Sequence, residues 1–220
     1  LLLLPDGEVM TEGYHLAYRL ACEELANVDD IGELCQRSGA SHRVIDSRKV
    51  ITLDYLGRAY EVSVPDIEIS LQDSEEEVSL VDQILILHYL LQAKGTPLSN
   101  KMIGYKHLPG GSVYFPTFSK RAIKPIVDHF GKEPTRLLDV AAAIGGRETA
   151  YGDVAVTIDA FRRVPITFVL WRGDEEFPAD GNILFDSTVS DYLTTDDINA
   201  VCGNIAWKLV RQLRAAGSGK

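Results

Sequence analysis

DVAVTIDAFRRVPITFVLWR, residues 153–172, is the stretch whose reading decides the fold class. Its first nine residues and the run ITFVLWR (166–172) are rich in β-branched and apolar side chains, which suit a pleated, half-buried surface. The two runs are expected to be strands joined near Pro165, a residue that cannot donate to a sheet ladder. NILFD (182–186) reads as a third strand. Further toward the N-terminus, VITLDYL (50–56) and AYEVSV (59–64) flank Gly57 and read as a hairpin, with IEISL (67–71) as an added strand.

Helical patterns surround these two blocks. Residues 11–26 carry Tyr14, Ala17, Tyr18, Ala21, Cys22 and Leu25 at helical spacing. Asp29 or Asp30 is placed to cap a short helix that ends near Gly39, and residues 79–93 form another before Gly95. KMIGYKHL (101–108) reads as a strand or an irregular segment and PGG (109–111) as a turn. Residues 117–130 follow as a helix with Thr117 as its cap and Phe118, Ala122, Ile126 and Phe130 as its buried face. Residues 135–144 form one more, ending at Gly145-Gly146. The last helix, capped by Thr195 or Asp196, carries an apolar stripe of Ile198, Val201, Cys202, Ile205, Leu209 and Leu213. Strands in two blocks with helices around them imply an α+β fold with a largely antiparallel sheet flanked by helices. One domain is expected over 1–216, followed by a disordered tail at 217–220.

The net charge of −10 argues against nucleic acid and against an anionic membrane surface as partners. The three cysteines, Cys22, Cys35 and Cys202, have no metal-ligand spacing, and their odd number argues against a disulfide framework. LLLL at the start is too short for a signal-peptide core, and no apolar run reaches the ~18 residues needed to span a bilayer. A cytoplasmic protein is the expectation.

Three places invite a ligand. WRGDEEFPADG connects two strands and carries Asp174, Glu175 and Glu176. In an extended segment Asp174 and Glu176 share a face and Glu175 points away. The pair is a candidate for acid/base work or for binding a divalent cation, and the alternative is a solvated loop whose carboxylates cap backbone N–H groups. The spacing does not match a calcium loop.

In LPGGSVYFPTFSKRAIKP (108–125), Gly110 and Gly111 allow close backbone approach, and Lys120 and Arg121 bring positive charge into an acidic chain. His107 stands beside the turn. Together these five residues are the candidate site for an anionic ligand, against the alternative of a tight turn and an amphipathic helix. The third candidate is His88, expected on the apolar face of helix 79–93, either as a buried histidine bonded to backbone or as an axial ligand to a metal or tetrapyrrole. His107 shares that candidacy for a metal. G-x-S-x-G, H-E-x-x-H, a post-strand G-x-G-x-x-G and C-x-x-C are all absent, which lowers the odds of the common hydrolase, zinc protease, dinucleotide and thiol-oxidoreductase chemistries.

LPGGSVYFPTFSKRAIKP, then FG at 130–131, then VPITFVLWRGDEEFPADGNILFDSTVSDYLTTDDI resembles a bacterial and archaeal family known as domain of unknown function 3786. Within it, WRGDEEFPADG, ILFD, DYL and the DD pair before the last helix carry most of the resemblance, which runs from about residue 10 to the C-terminus. It implies an anaerobic redox or one-carbon setting, because some members resemble fusions to an iron–sulfur cluster domain also found on corrinoid proteins. This chain lacks clustered cysteines, so no iron–sulfur cluster of its own is expected, and a corrinoid or haem remains open as cofactor. The pattern also has a structural explanation, in which Phe177 and Pro178 tuck the acidic loop onto the core while Asp186 and Asp191 cap turns around ILFD.

The leading expectation is a domain binding a small anionic ligand or cofactor, a corrinoid or haem among the options, with an iron–sulfur or corrinoid protein as its partner. The alternatives are an enzyme working through Asp174 and Glu176, and an acidic interaction module that docks a basic redox partner.

Overall fold

A computed structural model describes residues 7–217, with side chains described for 12–216. The LLLL start and residues 218–220 lie outside the described residues, while Gly217 closes the last helix instead of opening a tail. The chain divides into two compact units, Leu1–Thr96 and Pro97–Lys220. The fold class is α+β, as the two strand blocks imply.

The first unit comprises α1 (Gly7–Ala26), α2 (Ile31–Ser38), β1 (Ser41–Ile45), β2 (Arg48–Tyr55), β3 (Arg58–Val64), β4 (Ile69–Leu71) and α3 (Leu80–Gln92). The four strands are paired antiparallel in sequence order. Asp30 caps α2 by accepting from the Glu33 N–H at 2.9 Å, and Gly39 ends it in the left-handed region. The expected hairpin is present, turning through Leu56 and Gly57 at positive φ. A second hairpin, β1–β2, turns through Asp46 and Ser47, also at positive φ. Such two-residue turns match strand twist, but Asp-Ser lacks the usual glycine, which is why SHRVI does not announce itself as a strand. All five β1 residues are exposed.

Ser79 caps α3, which is buried nearly all round by Ile84, Leu85, Ile86, Leu87, Tyr89 and Leu90. That corrects the expected wheel. His88 is half-buried, on the less buried side with Val81 and Leu91, because an all-round apolar helix has no single core face.

The second unit contains β5 (Met102–Gly104), α4 (Gly111–Phe118), α5 (Lys124–Phe130), α6 (Arg136–Ala141), β6 (Arg147–Thr149), β7 (Val154–Phe161), β8 (Val164–Trp171), β9 (Asp180–Asp186) and α7 (Thr195–Gly217). Its strands run in the order β6-β7-β8-β9-β5, each antiparallel to its neighbour. The β7–β8 turn is at Arg162-Arg163, not at Pro165. The proline sits inside β8 opposite Asp159, where a bulge between Asp159 and Phe161 absorbs the missing donor. The expected stripe of α7 is buried at every position, and its cap is Thr194. The Thr194 hydroxyl oxygen accepts from the Asp197 N–H at 3.1 Å, and the Asp197 carboxylate accepts from the Thr194 N–H at 3.2 Å.

The helix expected at 117–130 begins earlier, at Gly111, so Thr117 is not its cap. Between α4 and α5, residues Ser119–Ile123 form a π turn. Pro116 and Pro125 bracket this turn, and each removes a backbone donor that a regular α-helix needs. The buried face is the expected one, with Phe118, Ala122, Ile126 and Phe130 all at 2% exposure or less. Their strict four-residue repeat drifts about 40° per step in an α-helix, and one wider turn brings it back into line.

Candidate functional site

The sequence Pro109-Gly110-Gly111 turns the chain from a short 3₁₀ segment, Tyr105–His107, into α4. Gly110 takes φ +69°, the left-handed region. Gly111 is buried, and a Cβ there would collide with the Tyr105 carbonyl. Its N–H donates to the Leu108 carbonyl at 2.9 Å. Gly111 therefore lets the chain pack on itself, and its N–H is engaged within the turn. Tyr105 stacks on Phe118 with centroids 3.8 Å apart, and burial, then the charge of Asp196, pushes its hydroxyl pKa up to about 12. The Thr195 hydroxyl donates to the Pro109 carbonyl at 2.8 Å, tying the turn to the start of α7.

Around this turn the surface is basic and aromatic. His107 is exposed, and its Nδ1 lies 3.3 Å from the Gly104 carbonyl. Lys106 holds its ammonium 4.2 Å from the centre of the Phe115 ring. Val113 and Tyr114 are 78% and 54% exposed. Lys120 is exposed too, but it stands in the π turn, roughly 13 Å along the helix from Gly111 by its rise. Arg121 packs against α7, and its charge acts on the Tyr105 hydroxyl. Its stem lies over Gly203 of α7, so near that a Cβ at Gly203 would come within 2.9 Å of the Arg121 Cγ.

In the acidic loop, Asp174 Oδ1 accepts from the N–H groups of Glu176 at 2.8 Å and Phe177 at 2.7 Å. The Asp174 N–H donates to the Phe177 carbonyl at 2.8 Å. The Phe177 and Glu176 amides together hold the Asp174 carboxyl below the ordinary aspartate range. Asp174, Glu175 and Glu176 are all exposed. This geometry favours the capping alternative, since Asp174 organises the loop that carries Glu176.

Phe177 is 68% exposed and Pro178 is exposed, so neither tucks the loop inward. Ala179 does: a Cβ at Gly131 would come within 2.5 Å of the Ala179 Cβ. A Cβ at Gly181 would come within 2.8 Å of Val127 Cγ2. The FG at 130–131 and the acidic-loop segment thus meet through small residues.

Asp186 is the most heavily engaged carboxylate among the hydrogen bonds described. It is buried and accepts from the Ser99 N–H at 3.1 Å, the Ser99 hydroxyl at 2.9 Å, the Asn100 N–H at 2.7 Å, the Thr188 N–H at 3.0 Å and the Thr188 hydroxyl at 2.8 Å. Burial on its own raises a carboxyl pKa, but the bonds from Thr188 and Ser99 outweigh it and hold Asp186 at about 2. The expected capping role of Asp186 is present, and its partners at 99–100 lie 86 or more residues away, beyond the reach of a local reading.

Among the described residues no group of three or more His, Cys, Asp or Glu gathers in a way that could hold a metal ion. His88 belongs to the first unit and His107 to the second. Also among the described residues, no helix is long and apolar enough to cross a membrane.

No curated protein and no solved structure matches this chain. Residues 30–207, which span both units, match the family described as Domain of unknown function (DUF3786). The chain belongs to that family.

Proposed function

We propose that the protein binds a small anionic ligand or cofactor on the exposed face around the Pro109–Gly111 turn, with His107 as its central contact. The observation that carries this reading is the His107 contact to Gly104. A carbonyl only accepts, so Nδ1 bears the proton, and Nε2 of the neutral ring keeps its lone pair. Histidines that bind metals or acidic groups are commonly fixed in this way. Lys106 and Lys120 supply charge for an anion, and Val113 and Tyr114 supply apolar surface for a flat ring system. Gly110 shapes the turn that presents them.

A haem or corrinoid combines these chemistries, being flat, largely apolar and, in haem, fringed with carboxylates. Bound here it would bring a metal centre with redox chemistry. His107 would offer Nε2 to that metal, and Lys120 would neutralise the periphery. The free thiols of Cys22, Cys35 and Cys202 support a reducing, cytoplasmic setting, and the family resemblance favours an iron–sulfur or corrinoid protein as partner.

The test is a visible spectrum and metal analysis of protein purified anaerobically, followed by titration with haem and cobalamin. Saturable spectral change is expected. His107→Ala should abolish the spectral change, and Lys120→Ala should weaken haem binding by roughly threefold to tenfold, the scale of one exposed ion pair or slightly more. Titrations that are flat, or identical in wild type and His107→Ala, would reject the proposal.

A further inference from the structure

One side of α7 carries Gly203, Trp207, Arg211 and Arg214 within an arc of about 80°, at 100° per residue, opposite the apolar stripe; Trp207, Arg211 and Arg214 are exposed and Gly203 is buried beneath Arg121. α5 runs alongside. Arg121 covers Gly203 at one end, and at the other His129 meets both Trp207 and Arg214. His129 Nδ1 is 2.8 Å from the Pro125 carbonyl, so the proton is on Nδ1 and Nε2 accepts from Arg214 Nη2 at 3.2 Å. The Trp207 ring stands edge-on to His129 with centroids 6.4 Å apart and is 40% exposed. No described ion pair engages Arg211. In a chain of net charge −10, this seam gathers cations around an exposed indole.

We infer that the α5–α7 seam is a docking surface for a short acidic segment of a partner protein, whose carboxylates meet Arg211 and Arg214 and whose apolar side chain covers Trp207. Arginine forks match carboxylates, and Trp and Arg are the residues that most often dominate an interface. The seam from 203 to 214 is about 16 Å long by helical rise. Salt reduces interactions beyond roughly 8–10 Å, so a short segment feels the local cations. A long polyanion such as nucleic acid, or an anionic membrane, would extend over the acidic remainder of the surface and be repelled. The inference does not rest on the ligand face proposed above.

The experiment uses the full chain carrying Trp171→Phe, so that Trp207 is the only indole reporter. An array of acidic dodecapeptides, each with several Asp or Glu and one Phe or Leu, is titrated beside Asn/Gln-substituted controls, single-stranded DNA and phosphatidylserine vesicles. Saturable Trp207 fluorescence change with acidic peptides, weakening as salt rises, is expected. Arg211→Ala and Arg214→Ala should each lower affinity by about tenfold with unchanged melting curves, and the pair of changes should abolish binding. His107→Ala with Lys120→Ala should leave peptide binding intact. The inference is overturned if no acidic peptide binds, if DNA or vesicles bind more tightly, or if the arginine variants bind as well as the parent. It is likewise overturned if binding is lost only in the His107/Lys120 variant, since the contact would then belong to the ligand face.

Discussion

A Cβ at Gly111 would strike the Tyr105 carbonyl, and that carbonyl is held by backbone that cannot yield easily. Gly111→Ala should therefore cost about 2–3 kcal/mol in denaturant melts, as overpacking does. Gly110→Ala should cost only about 1 kcal/mol for its left-handed φ. Asp186→Ala leaves the Ser99, Asn100 and Thr188 donors without their acceptor and should cost about 3 kcal/mol or more by the same measurement. Its titration makes a separate prediction. A carboxyl lowered from 3.8 to about 2 contributes stability that is complete above its unfolded pKa and is lost as pH falls through the folded one. The advantage of wild type over Asp186→Asn should thus shrink by about 2 kcal/mol between pH 5 and pH 2. At this scale the sequence showed which residues were unusual but not what each one faced. The close approach of Gly111 to the Tyr105 carbonyl was not legible, because that carbonyl belongs to a turn whose geometry no local pattern specifies.

The helix running from Gly111 to Phe130 shows what periodicity could and could not reveal. Apolar positions every four residues identified the buried face correctly. The same spacing contained the π turn, because a strict repeat of four does not fit a regular α-helix. The start of the helix was missed because Pro116 resembles a boundary when it is an interior residue. α7 was legible in its stripe and off by one residue at its cap, where Thr194 and Asp197 bond reciprocally. Thr194→Ala should destabilise the protein by about 1 kcal/mol, seen as a lower denaturation midpoint with an unchanged slope. The β7–β8 turn was misplaced for a related reason: Pro165 is tolerated inside the strand by a bulge that appears only once the strands are paired.

Across the whole molecule, alternation and β-branching were enough to give α+β, because those signals repeat over many residues. The candidate sites were less legible. His129, Trp207 and Arg214 converge from helices more than 75 residues apart in sequence, and each had an unremarkable local setting. The cysteines give the prediction that belongs here. Burial pushes the Cys35 thiol up to about 11 and that of Cys202 well above its ordinary value, and burial raises Cys22 as well. A thiol reagent at pH 8 should react slowly with the native protein, Cys22 first, and should titrate all three thiols at once in denaturant. Rapid native reaction at Cys202 would show that α7 opens locally from its core.

The exposed strand β1 has a consequence for how copies of the protein meet. Ser41, Arg43 and Ile45 direct their peptide groups at β2, which leaves those of His42 and Val44 pointing outward. Two such rims joined about a two-fold axis, using both outward pairs, must set Arg43 directly against Arg43 of the other copy. Like charges at that spacing repel, and the Arg43 bond to Glu61 at 2.7 Å holds the guanidinium on its face of the sheet. A single arginine at the centre of a five-residue strand thus makes the rim a poor template for pairing with its own kind about a two-fold axis.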